Sequence, residues 1–475
     1  MRIRLRRAGA GGLAATLAAL ALPATAQAHG IVGRADLPVP VWLFSWAAAV
    51  VLILSFVALS VLWTRPQLQN QHRVRLFGVP RIVGPLASLF GLAVFGLVVY
   101  SGIDGAQVWS VNFSVTFIYV IFWVGLPLAS AFFGDVFAVL SPWRTTARAL
   151  RWLLGRLTRG RAARPPLRYP AWLGQWPAVA ILLGFGFLEL VYVERDSPLQ
   201  LGWLSLGYFA VALVAMMLFG VEEVAERADG FGAYFQLLSR MSAFCTDEDG
   251  ALCARRPLSG LTSMPILPGT VGMILTIIGT TTFDGFSNDV VWRKLEPHLQ
   301  SIGEALGFGG TFAQELAGVI GLLGSVGLVA GVYWIGIRGV HSVSHRYSTA
   351  VLRDAFAHTL VPIAFAYVLA HYFSLLIWQG QAIGYLASDP LGNGANIFGT
   401  NGDQIDYTII SYAAIWYVQV AALVAGHVGG LTLAHDKALS IYRNSREAVR
   451  SQYWMLTVMV AFTCFGLWLL SAVGT

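Results

Sequence analysis

The feature that most constrains this chain of 475 residues is a series of apolar segments, each long enough to cross a lipid bilayer. A spanning helix needs about 20 mainly apolar residues. Lipid offers the backbone no hydrogen-bond partners, so such segments form helices. The sequence therefore predicts an all-α polytopic membrane protein with about ten transmembrane helices. The ten segments are roughly 38–63, 82–102, 111–133, 176–194, 200–221, 267–286, 315–337, 354–380, 407–434 and 453–472.

The composition agrees with this class and argues against a nucleic-acid partner. Hydrophobic residues make up 56% of the chain and charged residues only 12%, against roughly 25% charged residues in a soluble domain. The formal net charge of +7 includes four arginines in the first seven residues, which leaves 27 Lys and Arg against 24 Asp and Glu elsewhere. No predicted surface concentrates these cations in the way a nucleic-acid site requires. The expected partner is the lipid bilayer.

The amino terminus has the three parts of a secretory signal peptide. Basic MRIRLRR is followed by an apolar stretch at 13–22 and by Ala26-Gln27-Ala28, a small-x-small cleavage site. We therefore predict that residues 1–28 are removed and that residues 29–475 form a single integral membrane domain. The new terminus, His29, carries an amine and an imidazole that can chelate copper, although most exported proteins with such a terminus bind nothing through it.

The distribution of Lys and Arg predicts the orientation, because these residues stay on the cytoplasmic side of short loops. With the mature amino terminus outside, the segments assigned to the cytoplasm contain 23 Lys and Arg, whereas those assigned to the outside contain four. The sequence thus predicts a multi-pass protein of the bacterial inner membrane, with cytoplasmic segments near 134–170 and 222–266. The second of these segments is expected to form a small cap or hairpin.

Two histidines interrupt the predicted helix at 354–380, where an ionisable residue is by default a functional-site hypothesis. His358 precedes Pro362 by four residues, so its carbonyl loses its usual backbone partner and a bend is expected there. His371 lies about 20 Å farther along the helix. It is equally well explained by a polar partner on a neighbouring helix.

Further histidines collect near the predicted inner ends of three helices. His341 and His345 are four residues apart and share a helix face, as do Asp354 and His358. By helical rise, His358 and His427 are expected at similar depth and in contact. Imidazoles with a carboxylate suit a divalent transition metal, although basic segments near the membrane also use histidine simply to contact lipid headgroups. The predicted metal ligands are His341, His345, His358, His427 and His435, and the predicted catalytic residues are His358, His427, His435 and Asp354.

Five stretches carry a resemblance to a known group of proteins. They are HGIVGRADLPVP at 29–40, PGTVGMILTIIGTTTFDGFS at 268–287, AHTLVPIAFAYVLAHYFSLL at 357–376, SDPLG at 388–392 and IWYVQVAALVAGHVGGLTLAHDKAL at 415–439. In these stretches the chain resembles the bacterial membrane proteins named fenitrothion hydrolase. The resemblance implies hydrolysis of an aryl phosphotriester, a small apolar substrate, but it supplies no catalytic residues. A metal would serve this chemistry by activating water and polarising the phosphoryl oxygen.

Two other functions remain open. A haem-binding electron carrier would use His358 and His427 as axial ligands from adjacent helices. A membrane transporter would use Asp284, His371 and the polar sixth predicted helix as a route across the bilayer, because buried ionisable residues mark such routes.

Overall fold

The computed structural model describes residues 41–70, 72–159, 164–247, 249–442 and 444–472. The predicted signal peptide and His29 lie outside these residues. The helices are α1 Val41–Leu62, α2 Val83–Asp104, α3 Phe113–Phe133, α4 Pro142–Leu157, α5 Trp176–Leu190, α6 Pro198–Phe219, α7 Val221–Arg227, α8 Gly230–Ser239, α9 Thr270–Ser287, α10 Val290–Ala305, α11 Gly310–Val343, α12 Thr349–Gln379, α13 Ala382–Ser388, α14 Tyr412–Ile441, α15 Ser445–Ser451 and α16 Tyr453–Ala472. The strands are β1 Arg73–Gly78, β2 Phe244–Thr246 and β3 Ala251–Arg255.

The protein is a helical, polytopic membrane protein. Among the described residues, eight helical segments are long and apolar enough to cross a bilayer: α1, α2, α3, α6, α11, α12, α14, and α15 together with α16. Two further helices lie in predicted spans but differ from these eight. Helix α5 has 15 residues, and α9 has 18 residues and includes three consecutive threonines and an aspartate.

Helix α9 lies at the centre of the bundle, where it packs against α5, α11, α12 and α16. Most of its residues are buried by protein, whereas only 17% of the most apolar part of α1 is buried. The hydroxyls of Thr280, Thr281 and Thr282 donate to backbone carbonyls one turn earlier, at 2.9, 3.1 and 2.8 Å. This helix can be less apolar than the others because protein, and not lipid, surrounds it.

Helix α12 contains a short 3₁₀ turn, Ala357–Leu360, immediately before Pro362. The proline is the second residue of the α-helical part that follows, a position where its missing N–H breaks no hydrogen bond. Helix α14 packs closely against this turn, since a Cβ added at Gly430 would lie 2.7 Å from the carbonyl oxygen of Thr359. A change of helix type is therefore present beside α14, but the expected loss of a backbone partner for the His358 carbonyl is wrong, because this carbonyl accepts from the Val361 amide.

A three-stranded antiparallel sheet covers one end of the bundle, with strand order β1-β3-β2. The hairpin predicted within 222–266 is present as β2 and β3. Strand β1 comes from the connection between α1 and α2, and it pairs with β3 from Arg73 opposite Arg255 to Gly78 opposite Ala251. The sheet thus joins two loops that are far apart in the sequence.

The amphipathic helix α4 lies on the same side as the sheet and is held by one carboxylate. Arg144 and Arg148 both form ion pairs with Glu222 at the start of α7, and the Arg148 pair measures 2.7 Å. Partial burial raises the pKa of Glu222, but hydrogen bonds from Arg148 and attraction to both arginines outweigh that effect and lower the pKa below its usual value. The carboxylate is therefore the stable form.

Candidate functional site

Two ionisable side chains meet in the interior of the bundle. The His371 Nε2 atom on α12 lies 2.8 Å from the Asp284 Oδ2 atom on α9. The two side chains are 5% and 0% exposed, so no described surface reaches either of them. Residues 87 positions apart in the chain form this pair because α9 packs directly against α12.

A second carboxyl group belongs to the same site. Glu189, one residue before the end of α5, is buried and accepts a hydrogen bond from the Tyr372 hydroxyl at 3.3 Å. Tyr372 follows His371 in the chain, and its hydroxyl also interacts with Asp284. We name Glu189, Asp284, His371 and Tyr372 the intramembrane cluster. Its members come from α5, α9 and α12, and they connect one carboxyl group to the other through a phenol.

The wall of the cluster includes an irregular part of α3. Residues Phe117–Gly125 form a π-helix, a rare conformation that is often found at functional sites. Trp123 on this segment lies beside Glu189 and Tyr372. Its indole is buried, and its N–H lies within hydrogen-bonding reach of the Glu189 carboxyl group. The indole of α3 therefore belongs to the polar surroundings of the cluster.

The charges of the cluster are unbalanced. It holds two carboxyl groups and one imidazole, and its nearest cation is Arg195, which interacts with Glu189 from beyond the end of α5. Two ionised carboxylates in a protein interior repel each other and are poorly solvated. Neutral histidine would leave both negative charges uncompensated inside the cluster. The arrangement therefore favours binding of at least one proton.

Three of the predicted site residues lie apart from this cluster, near the end of α11 and the start of α12. The rings of His341 and His345 are 4.9 Å apart, as their spacing of four predicted. Both ring nitrogens of His341 are engaged, with the Tyr347 carbonyl at 2.9 Å and with His345 at 3.3 Å. Asp354 forms an exposed ion pair with its neighbour Arg353. The structure thus brings the two histidines together but leaves the aspartate outside their group.

The contacts of His435 serve to hold parts of the protein together. Its Nε2 atom lies 3.0 Å from the Trp63 carbonyl oxygen, and its Nδ1 atom lies 3.3 Å from the Gln452 side chain. The next residue, Asp436, accepts hydrogen bonds from the connection between α1 and β1. Both side chains therefore fasten α14 to that connection.

His358 and His427 are both buried, but the structure places them at different depths. His427 lies beside Tyr367, with ring centres 6.2 Å apart. His358 instead interacts with Asp436 and Lys437, and its neighbour Thr359 packs against Gly430, three residues beyond His427 and about 5 Å farther along α14. The two imidazoles have different neighbours because α14 continues to Ile441 and a 3₁₀ turn interrupts α12.

The donor set does not suit a shared metal or a haem. The Nε2 atoms of His358 and His427 are each buried without a partner, as free ligands would be. However, the described residues contain no group of three or more His, Cys, Asp or Glu side chains that could hold a metal ion. The cavity beside His427 has a volume of about 40 Å³, whereas ligand pockets usually measure about 300 to 1,000 Å³. Haem does not fit beside His427 in this arrangement.

Sequence reasoning found part of the intramembrane cluster and missed part of it. Asp284 and His371 were expected together only if the protein is a transporter. Glu189 received no role, although a single acid in an otherwise apolar segment is a signal that was available. Trp123 gave no such signal, because a tryptophan in an apolar helix is ordinary.

Comparison with known proteins gives no match among protein-family models, curated proteins or solved structures.

Proposed function

We propose that this protein is a proton-coupled membrane transporter and that the intramembrane cluster is its coupling site. One observation carries the proposal: His371 and Asp284 form a buried pair at 2.8 Å between two helices of the bundle. Ionisable residues inside a membrane are costly to keep, and they commonly form proton relays in pumps and transporters. Glu189 and Tyr372 extend the pair into a chain of groups that can pass a proton.

The position of the cluster supports access from one side. Glu189 is one residue from the end of α5, and Asp284 is three residues from the end of α9. His371 is eight residues, about 12 Å, from the end of α12 on the same side. Protons would enter near Arg195, at the end of α5 that carries Glu189. Further passage requires movement of α9 or α12.

Transport has more support here than hydrolysis. The predicted catalytic residue His427 borders a cavity of about 40 Å³, which is too small for an aryl phosphotriester. A cavity of about 760 Å³ has room for one, yet no His, Asp, Glu or Cys is among the described residues that line it. The cavity that is large enough for the substrate and the side chains that could catalyse its hydrolysis are therefore in different places. Hydrolysis of an organophosphorus triester stays a prediction from the resemblance.

We further propose ten spans, made up of the eight long apolar segments together with α5 and α9. In this arrangement the sheet and α4 face the cytoplasm, and α10 and α13 lie outside. The distribution of Lys and Arg supports this orientation, as does the predicted signal peptide. The proposed location is the bacterial inner membrane.

The first test asks whether the cluster exchanges protons. Infrared difference spectra of the reconstituted protein, recorded between about pH 5 and pH 9, should show a change in carboxyl protonation. The change should be altered in Asp284→Asn and in Glu189→Gln. The matched control is His298→Gln, an exposed residue on α10, which should leave the spectrum unchanged. Constant carboxyl protonation across the range would rule out the coupling role.

The second test separates transport from hydrolysis. Proteoliposomes that contain a pH-sensitive dye are given a neutral aryl phosphotriester with a chromogenic phenol as leaving group. Coupled transport moves protons without release of phenol, whereas hydrolysis releases it. Proton movement should fall at least about tenfold in His371→Gln and stay unchanged in His298→Gln. Phenol release by the wild type would instead favour the hydrolase.

A further inference from the structure

A large cavity lies beside the intramembrane cluster, along a neighbouring face of α5. Its volume is about 760 Å³, and residues of α2, α3, α5 and α6 form most of its wall. On α5, Gly184, Phe185 and Leu188 line the cavity, whereas Glu189 points away into the cluster. Phe185 packs against Trp123, with ring centres 4.4 Å apart. Two aromatic rings therefore separate the cavity from the cluster.

The polar side chains on the wall are already engaged with protein. At one end, Tyr192 donates to Gln200 at 2.6 Å. At the other end, Trp143 and Tyr208 donate to Asp229 at 2.6 and 2.5 Å. Apart from Ser205, the rest of the wall is apolar or glycine. The cavity therefore offers a ligand very little hydrogen bonding and suits a hydrocarbon.

The shape and the opening of the cavity match a single chain. Along α6 the wall extends from Gln200 to Val211, which is about 17 Å by helical rise. One leaflet of the hydrocarbon core is about 15 Å thick. Phe90, Leu204 and Val211 line the cavity and are 64%, 49% and 69% exposed. The cavity is therefore open to the surface of the bundle that contacts lipid.

The cavity also adjoins a basic surface. Pro142 and Trp143, the first residues of α4, close one end of it. The following turns of α4 carry Arg144, Arg148 and Arg151. The first two form ion pairs with Glu222, and Arg151 donates to the Met217 carbonyl at 2.8 Å. Excess positive charge at the membrane surface attracts anionic headgroups.

We propose that this cavity is a binding site for one acyl chain of a membrane phospholipid, with an anionic headgroup near α4. The site does not depend on the proton-coupling proposal, because it rests on the shape and polarity of a different set of residues. A bound chain would occupy the space between the α2 and α6 pair and the α3 and α5 pair. It would contact all four helices at once from the lipid side.

Two glycines allow a sharp test. A Cβ built at Gly184 or at Gly207 meets no atom within 4 Å, and both residues line the cavity. A side chain at either position therefore begins in open space at the cavity wall, and leucine, a better helix former than glycine, should take up part of the cavity. The matched control is Gly331→Leu on α11, where an added Cβ also meets nothing but which lies outside the cavity.

The probe is a phosphatidylglycerol with a diazirine near the end of one acyl chain, reconstituted with the full-length protein. After irradiation, the wild type should carry crosslinks on cavity residues of α2, α3, α5 and α6. Gly184→Leu and Gly207→Leu should lower the yield on these residues about tenfold, whereas Gly331→Leu should not. Thermal unfolding checks that each variant is folded. Equal crosslinking in all four proteins, or crosslinks confined to the outer faces of the helices, would overturn the proposal.

Discussion

Asp436 directly follows His435, one of the predicted metal ligands, and the structure gives it an anchoring role that can be measured. It is fully buried on α14. Its Oδ1 atom accepts from the Trp63 indole at 3.0 Å and from the backbone amides of Gln67 and Leu68 at 2.5 and 3.2 Å. Its Oδ2 atom accepts from the Gln69 side chain at 2.8 Å. One carboxylate therefore accepts hydrogen bonds from four residues of the connection between α1 and β1.

The expected cost of removing this carboxylate follows from these contacts. A hydrogen bond to a charged group contributes about 1.5 to 3 kcal/mol, and a donor left buried and unpaired costs about 1 to 3 kcal/mol. Because such terms are not additive, we expect Asp436→Ala to lower the free energy of unfolding by about 3 to 5 kcal/mol. Asp436→Asn keeps one acceptor oxygen and should cost about half as much.

Thermal unfolding in detergent at a fixed scan rate measures the effect. A loss of 1 kcal/mol lowers the Tm by about 2 °C in a large domain, so Asp436→Ala should unfold roughly 5 to 10 °C below the wild type. Asp354→Asn is the control, because that carboxylate is exposed and should change the Tm by less than about 1 °C. A chelator should leave the wild-type Tm unchanged. An Asp436→Ala protein as stable as the wild type, or a strong effect of chelator, would refute the anchoring role.

Three further predictions concern the rest of the fold. The pKa of Glu222 is lowered in the folded protein, so its ion pairs stabilise the fold at pH values above the unfolded pKa. This contribution, below about 1 kcal/mol at such an exposed site, is lost as the pH falls through the folded pKa. Glu222→Gln should remove this pH dependence from the free energy of unfolding measured between pH 3 and pH 6. Cys245 and Cys253 lie directly opposite each other on β2 and β3, within Cα distances that a disulfide accepts, so a mild oxidant should join them with loss of two hydrogens by mass spectrometry. At Gly279 an added Cβ would lie 2.6 Å from the backbone of α11. Gly279→Ala should therefore lower the free energy of unfolding by about 1 to 3 kcal/mol in the same assay. Gly324→Ala is the control and should not lower it, because a Cβ there meets nothing within 4 Å.

Segment length and apolarity were sufficient to predict most of the helices, because lipid imposes the same requirement on every span. The same rule explains why α9 was recognised as less apolar than its neighbours. Length and apolarity do not say which helices touch. The contact between Asp284 and His371 depends on the packing of α9 against α12. The spacing of apolar residues in the sequence does not show which helices pack together.

Depth within the membrane was the weak step in predicting the site. His358 and His427 were placed by counting from assumed helix ends, and an error of several residues at one end moves a side chain by about 1.5 Å for each residue. Gly430 contacts the 3₁₀ turn of α12, which fixes a different register. The partners of Asp436, and the carbonyl that His435 contacts, could not be predicted either, because they belong to a loop about 370 residues earlier in the chain.

The shortness of α5 has a consequence for the bilayer itself. Fifteen residues extend about 22 Å, several ångströms less than the roughly 30 Å of a typical hydrocarbon core. Lipid next to a short hydrophobic helix thins locally, or the flanking polar residues draw the interface inward. Glu189 is buried one residue from the end of this helix, so local thinning would bring the membrane interface closer to it. Bilayer thickness then sets how far water penetrates toward Glu189, which makes the acyl length of the host membrane a physical variable in the protonation of the cluster.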